Sequence, residues 1–152
     1  MSHEHWAKLT PELIVTDLEA SLRFYCDVLG FQIRFRRDED RFAYLDRDGA
    51  QLMLEETRDG WRTGPMEYPF GRGINLQIEV TNAAELAEKA RAAGIAFFRP
   101  PKESWYRADT IEHGQYEFLV QDPDGYLLRV SQWLGERPYV EPHVNARDSS
   151  NE

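Results

Sequence analysis

Cysteine is almost missing from this chain: Cys26 is the only one in 152 residues. A single thiol excludes an internal disulfide framework and a multi-cysteine zinc site. Long apolar runs are missing too, since nothing approaches the ~18 residues of a membrane span. The opening segment, MSHEHWAKLT, has no basic stretch followed by an apolar one, so no secretory leader is expected there. These absences together point to a cytoplasmic protein. Histidine is scarce: His3, His5 and His143 sit in the termini, and His113 falls in an expected loop. Positive charge is outnumbered, with 18 Lys and Arg against 27 Asp and Glu and a formal net charge of −9. A phosphate-backbone binder needs the opposite sign, so neither nucleic acid nor an anionic membrane is an expected partner. No glycine-rich phosphate loop occurs, because Gly71-Arg72-Gly73 is too short and precedes a strand rather than a helix. No spacing argues for a Ser-His-Asp arrangement, and Cys26 has no neighbouring histidine to activate it.

What remains is ample for one packed domain: 41% hydrophobic and 12% aromatic residues. Leu9, Leu13 and Val15 alternate with Thr10, Glu12 and Thr16, which predicts a half-buried strand. Thr16 and Asp17 can cap a helix beginning at residue 18. Leu18, Leu22, Tyr25 and Leu29 recur at helical spacing, and Gly30 stops that helix. Strands are then expected over 31–37, 42–47 and 50–56, with Asp48-Gly49 as a hairpin turn. A Gly- and Pro-rich connector carries Trp61, Met66, Tyr68 and Phe70, apolar groups that either fold back or pack on a partner. The pattern then restarts. Strand 75–80 is followed by helix 83–93, stopped at Gly94. A short strand over 95–101 ends at Pro100 and Pro101. Strands 115–121 and 126–133 flank Asp124-Gly125.

Each half thus reads β-α-β-β-β. Val15-Thr16-Asp17 recurs as Val80-Thr81-Asn82, Gly30 as Gly94, and Asp46-x-Asp48-Gly49 as Asp122-x-Asp124-Gly125. Repetition of element order together with turn residues marks two copies of one supersecondary unit. The expected organisation is an N-terminal extension over 1–8 and a single α+β domain over 9–133. That domain divides into module one (9–56), connector (57–73) and module two (74–133). A flexible tail is expected over 134–152, in which Tyr139 and Val140 are candidates to dock on a partner subunit.

The repeated unit, with DLEASLRFYCDVLGF early and DPDGYLLRV late, resembles the vicinal oxygen chelate superfamily. That superfamily includes glyoxalases, dioxygenases and bleomycin-resistance proteins. The resemblance spans roughly residues 9–133 and implies paired βαβββ modules forming a half-open barrel cleft. It does not by itself assign a chemistry, because many chemistries share this scaffold. The superfamily's enzymes hold a divalent metal on four side chains. Two lie seven residues before the residue that opens each helix, and two lie four residues after each hairpin glycine. Those positions carry Thr10, Asn75, Met53 and Arg129. Thr, Asn, Met and Arg are not a set for a hard cation, and a guanidinium repels one. No metal or other cofactor is therefore expected. A substitute metal set of Glu12, Glu79 and His113 is the weaker possibility, and His3-x-His5 a weaker one still.

Strand alternation predicts what fills the cleft instead. Thr10, Glu12 and Ile14 share one face with Gln51, Met53 and Glu55. Asn75, Gln77 and Glu79 share another with Leu127, Arg129 and Ser131. Arg129 is expected to pair with Glu12 or Glu79. The resemblance is detailed for the metal-free bleomycin-resistance branch, whose Trp-Gly-x-x-Glu-Phe stands here as His113-Gly114-Gln115-Tyr116-Glu117-Phe118. That branch sequesters a cationic aromatic drug in crevices at a homodimer interface. Its aromatic after the LGF motif is present as Phe35, but Arg34 stands where drug binders carry an acid. Ligand-binding candidates are Phe35, Phe42, Tyr44, Trp61, Trp105, His113 and Arg129, with Tyr106 beside them. The reading is a metal-free small-molecule binding protein of bleomycin-resistance type, dimeric and associated with antibiotic resistance. The alternatives are a glyoxalase-like lyase, isomerase or dioxygenase, and a metal-free enzyme with Glu12 or Glu79 as base and Arg129 stabilising an oxyanion.

Overall fold

Apolar periodicity and strand pairing build eight strands and two α-helices among the described residues. In the computed structural model, which describes residues 5–142, these are β1 (Glu12–Val15), α1 (Leu18–Leu22), β2 (Gln32–Arg37), β3 (Phe42–Arg47) and β4 (Ala50–Glu56). Module two adds β5 (Asn75–Glu79), α2 (Ala83–Ala92), β6 (Phe97–Ala108), β7 (Ile111–Gln121) and β8 (Leu127–Pro138). The sheets have the orders β1-β4-β3-β2 and β5-β8-β7-β6. In each, the first strand runs parallel to the last and the others are antiparallel, so the repeat read from the chain is the repeat in space. No helix among the described residues is long and apolar enough to cross a membrane.

Asp17 and Asn82 cap the two helices, accepting from the Ala20 and Glu85 amides at 3.1 Å each. The first helix departs from expectation. Only Leu18–Leu22 is α-helical, and Arg23–Val28 widens into a π-helical turn. The expected face Leu18, Leu22, Tyr25 and Leu29 is buried all the same. Leu13, Val15, Leu52, Leu54, Ile78, Val80, Leu128 and Val130 join it in one core drawn from both modules. Leu9, expected on the buried face of the first strand, is 85% exposed because β1 begins only at Glu12.

Module two has longer strands than the pattern suggests. Residues 102–114, expected to be irregular, belong largely to β6 and β7. Pro100 and Pro101 do not end β6, because a register shift between Arg99 and Lys102 removes the need for their missing amides. Strand β8 continues to Pro138, through residues expected in the flexible tail. The Tyr139 amide donates to the Thr110 carbonyl at 3.0 Å and its ring takes Arg107 at 4.0 Å, so this candidate for a partner subunit docks on its own hairpin. Val140 is exposed, and residues 1–4 and 143–152, with His3 and His143, lie outside the described residues.

The DPDG motif ties the modules together. Asp124 accepts from the Thr16 amide at 3.1 Å and from its hydroxyl at 2.6 Å. Asp122 accepts from the buried Tyr25 hydroxyl at 2.7 Å and from the Asp124 and Tyr126 amides. Desolvation outweighs those bonds and pushes the Asp122 carboxyl up to about 6. The Tyr126 hydroxyl completes the seam by donating to the Ile14 carbonyl at 2.9 Å.

Candidate functional site

Phe35, Phe42 and Tyr44 come together as expected, on β2 and β3. The Phe35 and Tyr44 rings stack at 5.3 Å with 13° between their planes, and Phe42 stands 5.9 Å from Phe35. A fourth ring joins them that the sequence did not announce. Trp6, in the stretch read as a mere extension, packs edge-on to Tyr44 at 5.1 Å and to Phe35 at 6.2 Å. Gln51 holds it there. This buried amide accepts from the Ala7 amide at 2.8 Å and from the Tyr44 hydroxyl, and donates to the His5 carbonyl at 2.7 Å. Phe42 and Tyr44 are buried, while Trp6 and Phe35 remain 49% and 39% exposed. The result is an aromatic shelf open to a planar ligand. Its flanks carry cations: Arg34 lies 4.6 Å over the Trp6 ring and Arg37 lies 4.1 Å over Phe42. Arg34 is balanced by Asp46 at 3.4 Å.

The open face of module two is polar. Arg129 does not pair with Glu12 or Glu79. Its Nε donates to Glu117 at 2.7 Å, its guanidinium lies 5.1 Å from the Tyr106 ring, and the Tyr106 hydroxyl donates to the same carboxylate. Glu117 is buried and is the residue that sequence reasoning missed. It stands diagonally from Arg129 across the β7–β8 ladder, so pairing them requires the register. Tyr106 and Glu117 line a cavity of about 500 Å³ with Lys102, Ser104 and Leu119.

Other expected members lie elsewhere. Trp61 is 95% exposed on the connector and pairs with no shelf ring among the described residues. Trp105 lies on β6 rather than in a loop. Its indole donates to Glu103 at 2.8 Å, Arg137 covers it at 4.0 Å, and its ring lies across Gly114, where a Cβ would meet it at 2.6 Å. Trp105 is therefore already packed, and the glycine of the His113-Gly114 pair admits it. His113 is on β7, not in a loop, and faces Glu136 at 3.7 Å.

Glu12 sits beside Glu55 on module one. Partial burial, then the hydrogen bond and like charge of Glu55, push its carboxyl upward, and Arg37 opposes this. Glu79 lies on module two, on the exposed side of β5. The structure does not assemble Glu12, Glu79 and His113: among the described residues no group of three His, Cys, Asp or Glu side chains could hold a metal ion. The four superfamily ligand positions fit a metal no better. Thr10 donates its hydroxyl to the Ala7 carbonyl at 3.2 Å, Met53 offers a thioether, Asn75 an exposed amide, and Arg129 a cation already bound to Glu117.

Comparison with known proteins agrees with this architecture. Residues 5–130 match the family described as Glyoxalase/Bleomycin resistance protein/Dioxygenase superfamily. The chain belongs to that superfamily. It is 31% identical over 134 residues to a bleomycin resistance protein of Geobacillus stearothermophilus, covering 82% of this chain and 95% of that protein. It is also 31% identical over 129 residues to a lactoylglutathione lyase of Neisseria meningitidis, covering 79% of this chain and 86% of that one. Among solved structures, TioX from Micromonospora sp. ML1 shares the fold with a TM-score of 0.66 at 22% identity, over 85% of this chain and all of that one.

Proposed function

We propose that this protein is a metal-independent binding protein of the cytoplasm that sequesters a flat small molecule on its aromatic shelf. The observation that carries the reading is the stacked Phe35–Tyr44 pair with Trp6 edge-on, buried behind and open in front. Such rings contribute ~0.5–1.5 kcal/mol each beyond the area they bury. Similarity to bleomycin resistance proteins supports sequestration as the mode of action and protection from an antibiotic as its purpose. A second copy of the chain completes the crevice in this reading, as a homodimer. Arg34 and Arg37 occupy ring faces that a cationic drug would want, so the favoured ligand is aromatic and not strongly cationic.

Titration with bleomycin and with neutral polycyclic aromatics, followed by tryptophan fluorescence, tests this. Saturable quenching is expected, because Trp6 is part of the shelf, and Phe35→Ala should weaken binding about tenfold, near 1.4 kcal/mol. Absence of quenching by every planar ligand, or unchanged affinity in Phe35→Ala, would sink the reading.

The lactoylglutathione lyase relatives support a second reading, a superfamily lyase or isomerase. It needs metal ligands that Thr10, Met53, Asn75 and Arg129 do not supply, and it stands or falls on metal content.

A further inference from the structure

We propose that a second pocket, between the connector and the far end of the first sheet, binds a small organic anion: a carboxylate or phosphate ester on an apolar body. The cavity is about 650 Å³ and is bordered by Ile14, Val15 and Thr16 at the carboxyl end of β1, a volume typical of small-molecule sites. The superfamily's ligand position Thr10 lies before the other end of that strand, and no ring of the aromatic shelf lines the cavity.

Charge comes first. The chain carries a formal net charge of −9, yet this lining holds Arg41, Arg58 and Arg62 against one carboxylate, Glu56. Glu56 is already committed. One oxygen takes Arg41 and the other accepts from the Leu18 amide at 3.0 Å. Two cations are left over. Arg62 donates to the Thr57 carbonyl at 2.7 Å, and neither Arg58 nor Arg62 meets a carboxylate among the described residues. Two guanidinium groups bordering one pocket suit a carboxylate or phosphate.

The pocket is also preorganised. The Arg62–Thr57 bond fixes one fork beside the pocket. Thr57 Oγ1 accepts from the Asp59 amide at 3.1 Å, which leaves its own hydrogen free to donate. The pocket's floor is apolar. Met66 and Phe70 turn inward from the connector, unlike the exposed Trp61 and Tyr68 beside them, and Phe70 is braced edge-on against Tyr126 at 5.9 Å. Together with Ile14 they offer apolar contact to a ligand body whose charged end reaches the arginines.

The test uses the full chain and a matched pair of probes, 4-phenylbutyrate and its neutral amide, with phenyl phosphate as the phosphate arm, measured by calorimetry. One acid per chain is expected to bind, at least tenfold more tightly than the amide, and to weaken as salt is raised. The double variant Arg58→Glu/Arg62→Glu should lose at least tenfold. Arg91→Gln on α2 should change nothing. Tighter binding of phenyl phosphate than of phenylbutyrate would assign the head group and support the proposal. Equal binding of the amide, full affinity in the double variant, or no binding of either anion would overturn it. Because the shelf ligand is read by Phe35→Ala and this one by the Arg58→Glu/Arg62→Glu pair, the two sites fail separately.

Discussion

Arg34 guards the aromatic shelf. Its guanidinium covers Trp6 at 4.6 Å, donates to the His5 carbonyl and pairs with Asp46 at 3.4 Å. A cationic ligand approaching Trp6 meets this charge first, and like charges at contact repel by roughly 1 kcal/mol or more near a protein surface. Arg34→Gln should therefore tighten bleomycin binding several-fold while leaving a neutral aromatic nearly unaffected. Equal changes for both ligands in a fluorescence titration would show that Arg34 acts by shape, not charge. At this scale the site was half legible. Phe35, Phe42 and Tyr44 were recoverable because residues two apart on neighbouring strands share a face. Trp6 was not, since residues 5–8 carry no strand period and are held by one buried amide, Gln51. Glu117 was visible in the motif, but its bonds to Arg129 and Tyr106 depend on the β7–β8 and β6–β7 registers. Trp61 and Trp105 stand apart from the shelf, because an aromatic in an expected loop carries no period that says where it turns.

Between elements, the seam at Asp122 makes a pH-dependent contribution. Its carboxyl titrates near pH 6 when folded, against an ordinary value of 3.8. Between those two values the folded chain holds a proton that the unfolded chain has released. The group's contribution therefore falls as pH rises through that window, by ~1–3 kcal/mol in all. Asp122→Asn keeps the acceptor for the Asp124 and Tyr126 amides and removes the titration. Urea midpoints at pH 4.5 and 7 should differ less in the variant than in the parent protein, and an undiminished difference would assign the pH effect to other groups. The hairpin glycine beside it has its own constraint. Gly125 has φ +92°, and a Cβ there would meet the Pro69 Cα at 2.6 Å, so the turn needs glycine for space as well as for conformation. Element order was legible throughout, because the repeat doubles every signal. The lengths of β6, β7 and β8 were not. Prolines read as terminators are harmless at a register shift, and the Ser-, Glu- and Gly-containing stretch gains its strand character from pairing with neighbours rather than from its own period.

For the whole molecule, two consequences are open to direct measurement. Leu9, Ile74, Phe98, Trp133 and Leu134 are large apolar side chains left exposed, a cost that association would relieve. Sedimentation equilibrium should return twice the 17.8 kDa chain mass, and a monomer at micromolar concentration would contradict a crevice shared between copies. In the proposed reading the superfamily scaffold serves binding without a metal: Thr10, Met53, Asn75 and Arg129 occupy the ligand positions, and Glu117 already neutralises Arg129. The most direct test is elemental analysis of untagged protein purified without chelator and dialysed to remove loosely held ions. No stoichiometric manganese, iron, nickel or zinc is expected. One tightly held ion per chain would contradict it and return the lyase reading to first place.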